Sequence, residues 1–279
     1  SIISVVIQYF FYAIFVTSIE IMVNCFINGK VFDGSILSKL FPDLWYFSAY
    51  FILFFFMPIL DCILEYTPRK FLIIASIVIV FQLLKNNFIY FGSGYSVSWL
   101  VILYVLGGYL SKNNVLEKWT KKKCFWCYIA CVLITELLRI CYLSFYTRFS
   151  FLENYKFTLI KYTSPTIILS AVFLVCCFSK INFKDKYLKF IQLLSPLAFG
   201  VYLFHEQPFI RNSIIKGTFS FIASEPFYIA IPMVIVSSSV IFLCCLFVEY
   251  LRSCIFNALN IKKFAELLEK KILRFFSGC

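Results

Sequence analysis

The chain has 279 residues, 62% of them hydrophobic and only 14% charged, with a mean hydropathy of +0.88. Soluble domains carry about 45–50% apolar and about 25% charged residues, so the composition excludes an ordinary soluble protein. The formal net charge of +12 does not mark a nucleic-acid partner: the Lys and Arg residues fall in gaps between apolar runs, where such residues set membrane topology, and no aromatic-basic motif accompanies them.

The apolar residues form separate runs of helical length rather than short alternating segments, which favours helices over a β-barrel. The predicted fold class is all-α, a polytopic transmembrane helix bundle of about eight spans. Hydropathy places them at Ile2–Ile27, Leu44–Leu64, Phe71–Leu84, Ser98–Leu110, Cys124–Phe145, Ser164–Phe178, Ile191–Gln207 and Tyr228–Leu251. The third and fourth fall short of the roughly 20 residues a straight span needs.

The first span begins at Ser1 with no signal peptide and no initiating Met, and the expectation is a truncated start. It carries Glu20, which has no local partner and is expected to face protein or a wet cavity rather than lipid. At the entry to the second span stand Trp45, Tyr46 and Tyr50. Aromatic residues there anchor a helix at the interface, and the same rings stack on sugars; the residues alone leave both roles open.

The fifth span opens on "CFWC" (Cys124, Cys127). Without a second such pair or a histidine pair, this spacing carries no metal site. The adjacent pairs Cys176-Cys177 and Cys244-Cys245 read as small hydrophobes, so no metal is expected. Further along, Glu136 and Arg139 lie three apart on one helix, acid first, the favourable order for pairing. They read as a self-neutralising pair or as one polar wall of a cavity.

The seventh span, "SPLAFGVYLFHEQPFIRN", holds the only histidine, His205. Pro196 is expected to kink its helix and Pro208 to end it, putting His205 in the last turn, at the outer face. Glu206 and Arg211 give it polar company. An interfacial histidine and a general base both fit.

The eighth span closes a predicted membrane bundle over 1–251. Residues 252–279 are predicted to form a cytoplasmic amphipathic helix and tail, with Phe264, Leu267, Leu268, Ile272 and Phe275 on one face, lying on the cytoplasmic leaflet. Alternate inter-span segments, counting the tail, hold 17 of the 26 Lys and Arg residues and the others hold eight. This asymmetry predicts that both chain ends are cytoplasmic.

Three stretches together carry a family resemblance. "DLWYFSAYFILFFFMPIL", "VILYVLGGYLSKNN" and "SPLAFGVYLFHEQPFIRN" resemble, in order, the fourth, sixth and ninth spans of the acyltransferase-3 family. The resemblance implies a bacterial inner-membrane enzyme that O-acylates, usually O-acetylates, a cell-surface polysaccharide or related glycan. The donor would be acyl-coenzyme A, usually acetyl-coenzyme A, with no metal; the partners would be the lipid bilayer and the glycan acceptor, with no nucleic acid. His205 would be the family's outer-face histidine, acting on the acceptor hydroxyl and supported by Glu206 and Arg211. Trp45, Tyr46 and Tyr50 would line the glycan entrance. Glu136 and Arg139, on their own residue reading, are candidate substrate-binding residues if they form a polar wall of an internal cavity.

Family members have ten spans, and the eight here align with the third to tenth. The family's first-span histidine and the Ser-Gly-Tyr-like turn closing its second span are both read as missing. An N-terminally truncated chain, inactive alone, is therefore expected. The alternatives are a transporter or polymerase of the polysaccharide pathway, and a non-catalytic membrane remnant.

Overall fold

The computed structural model of the chain describes residues 2–27, 29, 34–68, 73, 77, 91–113, 117–145 and 161–277. Among them there is no strand. The long helices are α1 (Ile2–Met22), α2 (Trp45–Tyr66), α3 (Val97–Lys112), α4 (Lys121–Phe145), α5 (Pro165–Ser179), α6 (Asp185–Leu194), α7 (Ala198–His205), α8 (Phe227–Ala258) and α9 (Ile261–Ser277). Among the described residues five stretches are long and apolar enough to cross a membrane: Ile2–Ile27, Trp45–Tyr66, Lys121–Phe145, Asp185–His205 and Phe227–Ala258. Helices α3 and α5 are apolar but shorter. The all-α membrane bundle read from hydropathy is the fold observed. The predicted third span, Phe71–Leu84, lies outside the described residues apart from the isolated positions 73 and 77.

The chain divides into two compact units, Ser1–Leu44 with Lys184–Cys279, and Trp45–Phe183. In the second unit α4 packs along α5, and α2 packs on α3. The latter pair approaches closely because Gly108 lacks a side chain: a Cβ there would fall 2.4 Å from Leu64 Cδ1. Lys112 Nζ donates at 2.8 Å to the carbonyls of both Leu64 and Glu65, closing carbonyls that the end of α2 leaves without helical partners. Helix α3 starts where the Ser96 hydroxyl accepts from the Trp99 N–H at 3.3 Å, an N-cap. Helix α5 starts on Pro165, in the first turn where a missing N–H costs nothing.

In the first unit α1 packs against α7 and α9, and α7 against α8. The buried face of α1 runs through Tyr9, Tyr12, Ala13, Val16, Thr17 and Glu20. Glu20, which lacked a local partner in sequence, pairs with Lys39 from the short 3-10 helix Gly34–Leu40. Helix α8 runs seven residues past Leu251, so the end of the predicted membrane bundle falls inside a helix. Asn260, at φ +53, makes the turn into α9. There Ala265 is fully buried while Phe264 and Leu267 are exposed.

Candidate functional site

The helix carrying the histidine is built in pieces. The 3-10 turn Ser195–Leu197 separates α6 from α7 at Pro196, as the proline requires. Helix α7 then ends at His205. Pro208, however, does not end the span. The Arg211 N–H donates to the Gln207 carbonyl at 2.9 Å, and π-helical turns continue over Ile210–Ile215. Proline blocks a helix only from its interior; at the start of a new turn it is tolerated. The result is a helix broken at Glu206 and Gln207 with His205 on the lip of the break.

His205 Nδ1 lies 3.0 Å from the Val201 carbonyl, one turn back. Its Nε2 lies 3.3 Å from Glu206 Oε1, and Glu206 Oε2 accepts from Arg211 Nη1 at 3.1 Å. The Tyr202 ring packs edge-on at 6.1 Å. The three residues expected to act together are thus brought together. With the Nδ1 proton given to Val201, Nε2 is the nitrogen left to take up a proton. Gln207, two residues on, is 1% exposed, and its amide nitrogen has no partner among the described residues. Such buried donors are rare and call for an explanation.

The first unit also contains an ionic cluster that the sequence reading missed. Glu249 is fully buried on α8. It receives Arg252 twice, Nε on Oε2 at 2.8 Å and Nη2 on Oε1 at 2.6 Å. Gln8 Nε2 donates to Oε1 at 3.1 Å, and the Tyr12 hydroxyl donates to Oε2. Arg252 lies 4.3 Å over the Phe256 ring. Both carboxylate oxygens are therefore doubly bonded, the condition under which a buried charge is tolerable. Helix α7 meets this cluster at Gly200, where a Cβ would fall 2.0 Å from Glu249 Oε2. The signal was present as an acid at the edge of an apolar run, with a basic residue three positions on. Its partners on α1 lie far away in sequence, so nothing local announced the cluster.

This contact sets the level of His205 along α8. Glu249 lies 22 residues into α8, about 33 Å from Phe227 at 1.5 Å per residue. His205 is five residues, about 7.5 Å, beyond Gly200. It therefore stands at least about 25 Å short of the Phe227 end of α8.

In the second unit Trp45 packs edge-on against Tyr95 at 4.8 Å, and Tyr95 against Tyr162 at 5.2 Å. Tyr50 stacks on Tyr46 one turn along α2, at 6.4 Å and 21°. Trp45 and Tyr46, with Tyr162, border a cavity of about 840 Å³ between α3 and α5. Ser93, Gly94 and Tyr95 form a tight turn at this rim. Gly94 has φ +101, and a Cβ there would lie 2.4 Å from Tyr162 Cβ, so only glycine fits. Glu136 and Arg139 do pair, at 2.8 Å, but with side chains 49% and 48% exposed. They are not among the residues bordering the cavity. Among the described residues no cluster of His, Cys, Asp or Glu is arranged to hold a metal.

An all-α bundle with five stretches, among the described residues, long and apolar enough to cross a membrane defines a polytopic membrane protein. A family model for an acyltransferase domain matches residues 1–250, and the chain belongs to the acyltransferase-3 family. It is thus a membrane acyltransferase in the general sense. No curated protein and no solved structure matches it.

Proposed function

We propose that the chain is an O-acyltransferase module of the bacterial inner membrane that modifies a hydroxyl of a cell-surface polysaccharide or related glycan. The acyl donor is a coenzyme A thioester, by family habit acetyl-coenzyme A. The observation that carries this reading is the His205–Glu206–Arg211 chain at the helix break.

His205 Nε2 takes the proton of the acceptor hydroxyl as that oxygen attacks the thioester carbonyl. The carbon–sulfur bond then breaks, and the proton passes to the departing thiolate. Arg211 holds Glu206, and Glu206 steadies the imidazolium. Gln207 supplies a buried donor for an oxygen of the bound substrate. Trp45, Tyr46 and Tyr50 offer ring faces to the glycan. Glu136 and Arg139 are given no substrate role here, because their half-exposed pair does not border the cavity. The uneven spread of basic residues supports cytoplasmic chain ends, with α9 lying on that leaflet through Phe264, Leu267 and Leu268.

The test compares the full gene product with its His205→Gln variant at equal membrane abundance, using radiolabelled acetyl-coenzyme A and a lipid-linked glycan. Glutamine keeps a hydrogen-bonding tip but cannot take up a proton near neutral pH. Transfer should fall by about 10²-fold or more. Equal rates would leave His205 an anchor and refute the mechanism.

A further inference from the structure

We infer that the cavity between α3 and α5 is a lipid site, taking one hydrocarbon chain of an anionic phospholipid whose head group lies at the Lys180 end. It is contained in the second unit and does not depend on the role of His205.

The cavity's length and polarity carry the argument. Helix α3 offers it Leu100, Leu103, Leu106 and Leu110, an unbroken apolar strip about 15 Å long. Helix α5 faces this strip with Ile168, Val172 and Val175. That length matches one leaflet of a hydrocarbon core about 30 Å thick. At its middle lies Gly107, where an added Cβ would meet nothing within 4 Å. Protein interiors are close-packed, so an open strip of leucines at membrane depth is a seat for another molecule. Its volume of about 840 Å³ falls in the range of built ligand sites, roughly 300–1,000 Å³.

The two ends differ chemically. One is the aromatic rim of Trp45, Tyr46 and Tyr162. The other holds the charged residues of the described lining, Glu117 and Lys180, with Ser111 and Ser179. Lys180 Nζ donates one bond to the Glu117 carbonyl at 3.1 Å, which leaves two of its N–H groups. The start of α4 is brought beside this end, where the Cys177 thiol meets the Lys121 carbonyl at 3.8 Å. Lys118, Lys121, Lys122 and Lys123 are exposed around it. Glu117 is outnumbered, and the local field favours an anion. A basic mouth opening on an apolar slot between membrane helices is the arrangement that binds anionic head groups.

Native mass spectrometry of the delipidated full chain tests the site, with phosphatidylglycerol or phosphatidylcholine titrated in. One phosphatidylglycerol should be retained in preference to phosphatidylcholine. Lys180→Gln should weaken retention about five-fold, and Gly107→Leu, which fills the strip, should abolish it. Ala171→Leu offers a second way to fill the cavity should Gly107→Leu fail to fold, judged by a monodisperse elution profile. Equal retention of the two lipids, or retention unchanged by the filling variants, would overturn the proposal. Displacement of the lipid by acetyl-coenzyme A would overturn it too, making the cavity a donor site. None of these outcomes alters the His205→Gln comparison, so the two readings fail separately.

Discussion

Gly200 on α7 and Glu249 on α8 are held so close that a Cβ on the glycine would lie 2.0 Å from the carboxylate oxygen Oε2 and 2.5 Å from Gln8 Nε2. The carboxylate cannot withdraw, since Arg252, Tyr12 and Gln8 bond both its oxygens. The contact therefore sets the height and rotation of α7, and with them the position of His205 one and a half turns away.

Gly200→Ala should be costly although alanine is the better helix former. Overpacking of this kind typically costs about 1–3 kcal/mol. Thermal unfolding in detergent should show a lowered midpoint. Gly107→Ala, with nothing within 4 Å of the new methyl, should leave the midpoint unchanged or slightly raised. Equal behaviour of the two variants would mean that α7 does not abut Glu249.

Removing one partner of the buried ion pair should be worse than removing both. Glu249→Leu leaves Arg252 charged and half-buried among apolar groups, and should cost about 3–5 kcal/mol. The double variant Glu249→Leu with Arg252→Met should recover much of that loss. Tyr12→Phe removes one hydrogen bond to a charged acceptor and should cost about 1.5–3 kcal/mol. The comparison is of unfolding midpoints across the four proteins.

Glu206→Gln keeps the size of the side chain beside His205 Nε2 but removes the charge that steadies an imidazolium. Loss of about 1.4 kcal/mol of that support lowers kcat about tenfold, with little change in KM. Arg211→Ala should do less, because Arg211 is 58% exposed and acts through Glu206. Steady-state rates at saturating donor separate these effects. A larger loss from Arg211→Ala would assign it directly to substrate.

The double variant Glu136→Gln with Arg139→Gln should keep the fold, since the pair bonds only within its own helix and borders no cavity. Acyl transfer should be unchanged. A large drop in transfer with normal folding would restore the pair to a substrate role.

Reporter fusions after Lys123 and after Lys189 should read as cytoplasmic, and a fusion after Lys216 as external. The distribution of basic residues requires this order. Any reversal would break the proposed orientation.

Class, helix positions and local pairings were all legible in the residues by themselves. Hydropathy over a helical length is a property of one segment, so α1, α2 and α4, and the start of α8, fall within a few residues of their predicted bounds. Glu136 and Arg139 pair as read because spacing along a single helix brings them together. Pro196 breaks its helix because a missing N–H acts on its own turn. The partners of Glu249 could not be read in this way. Tyr12 and Glu249 are 237 positions apart, and nothing local to either announces the other. Helix packing decided that an acid at the edge of a span is the most buried charge in its unit, that Glu20 meets Lys39, and that Gly200 must be bare. It also decided the level of His205 along α8. Pro208 looks like a terminus when the chain is read along its length, but it starts a further helical turn, and the level of the histidine follows from which residue of α8 stands opposite Gly200.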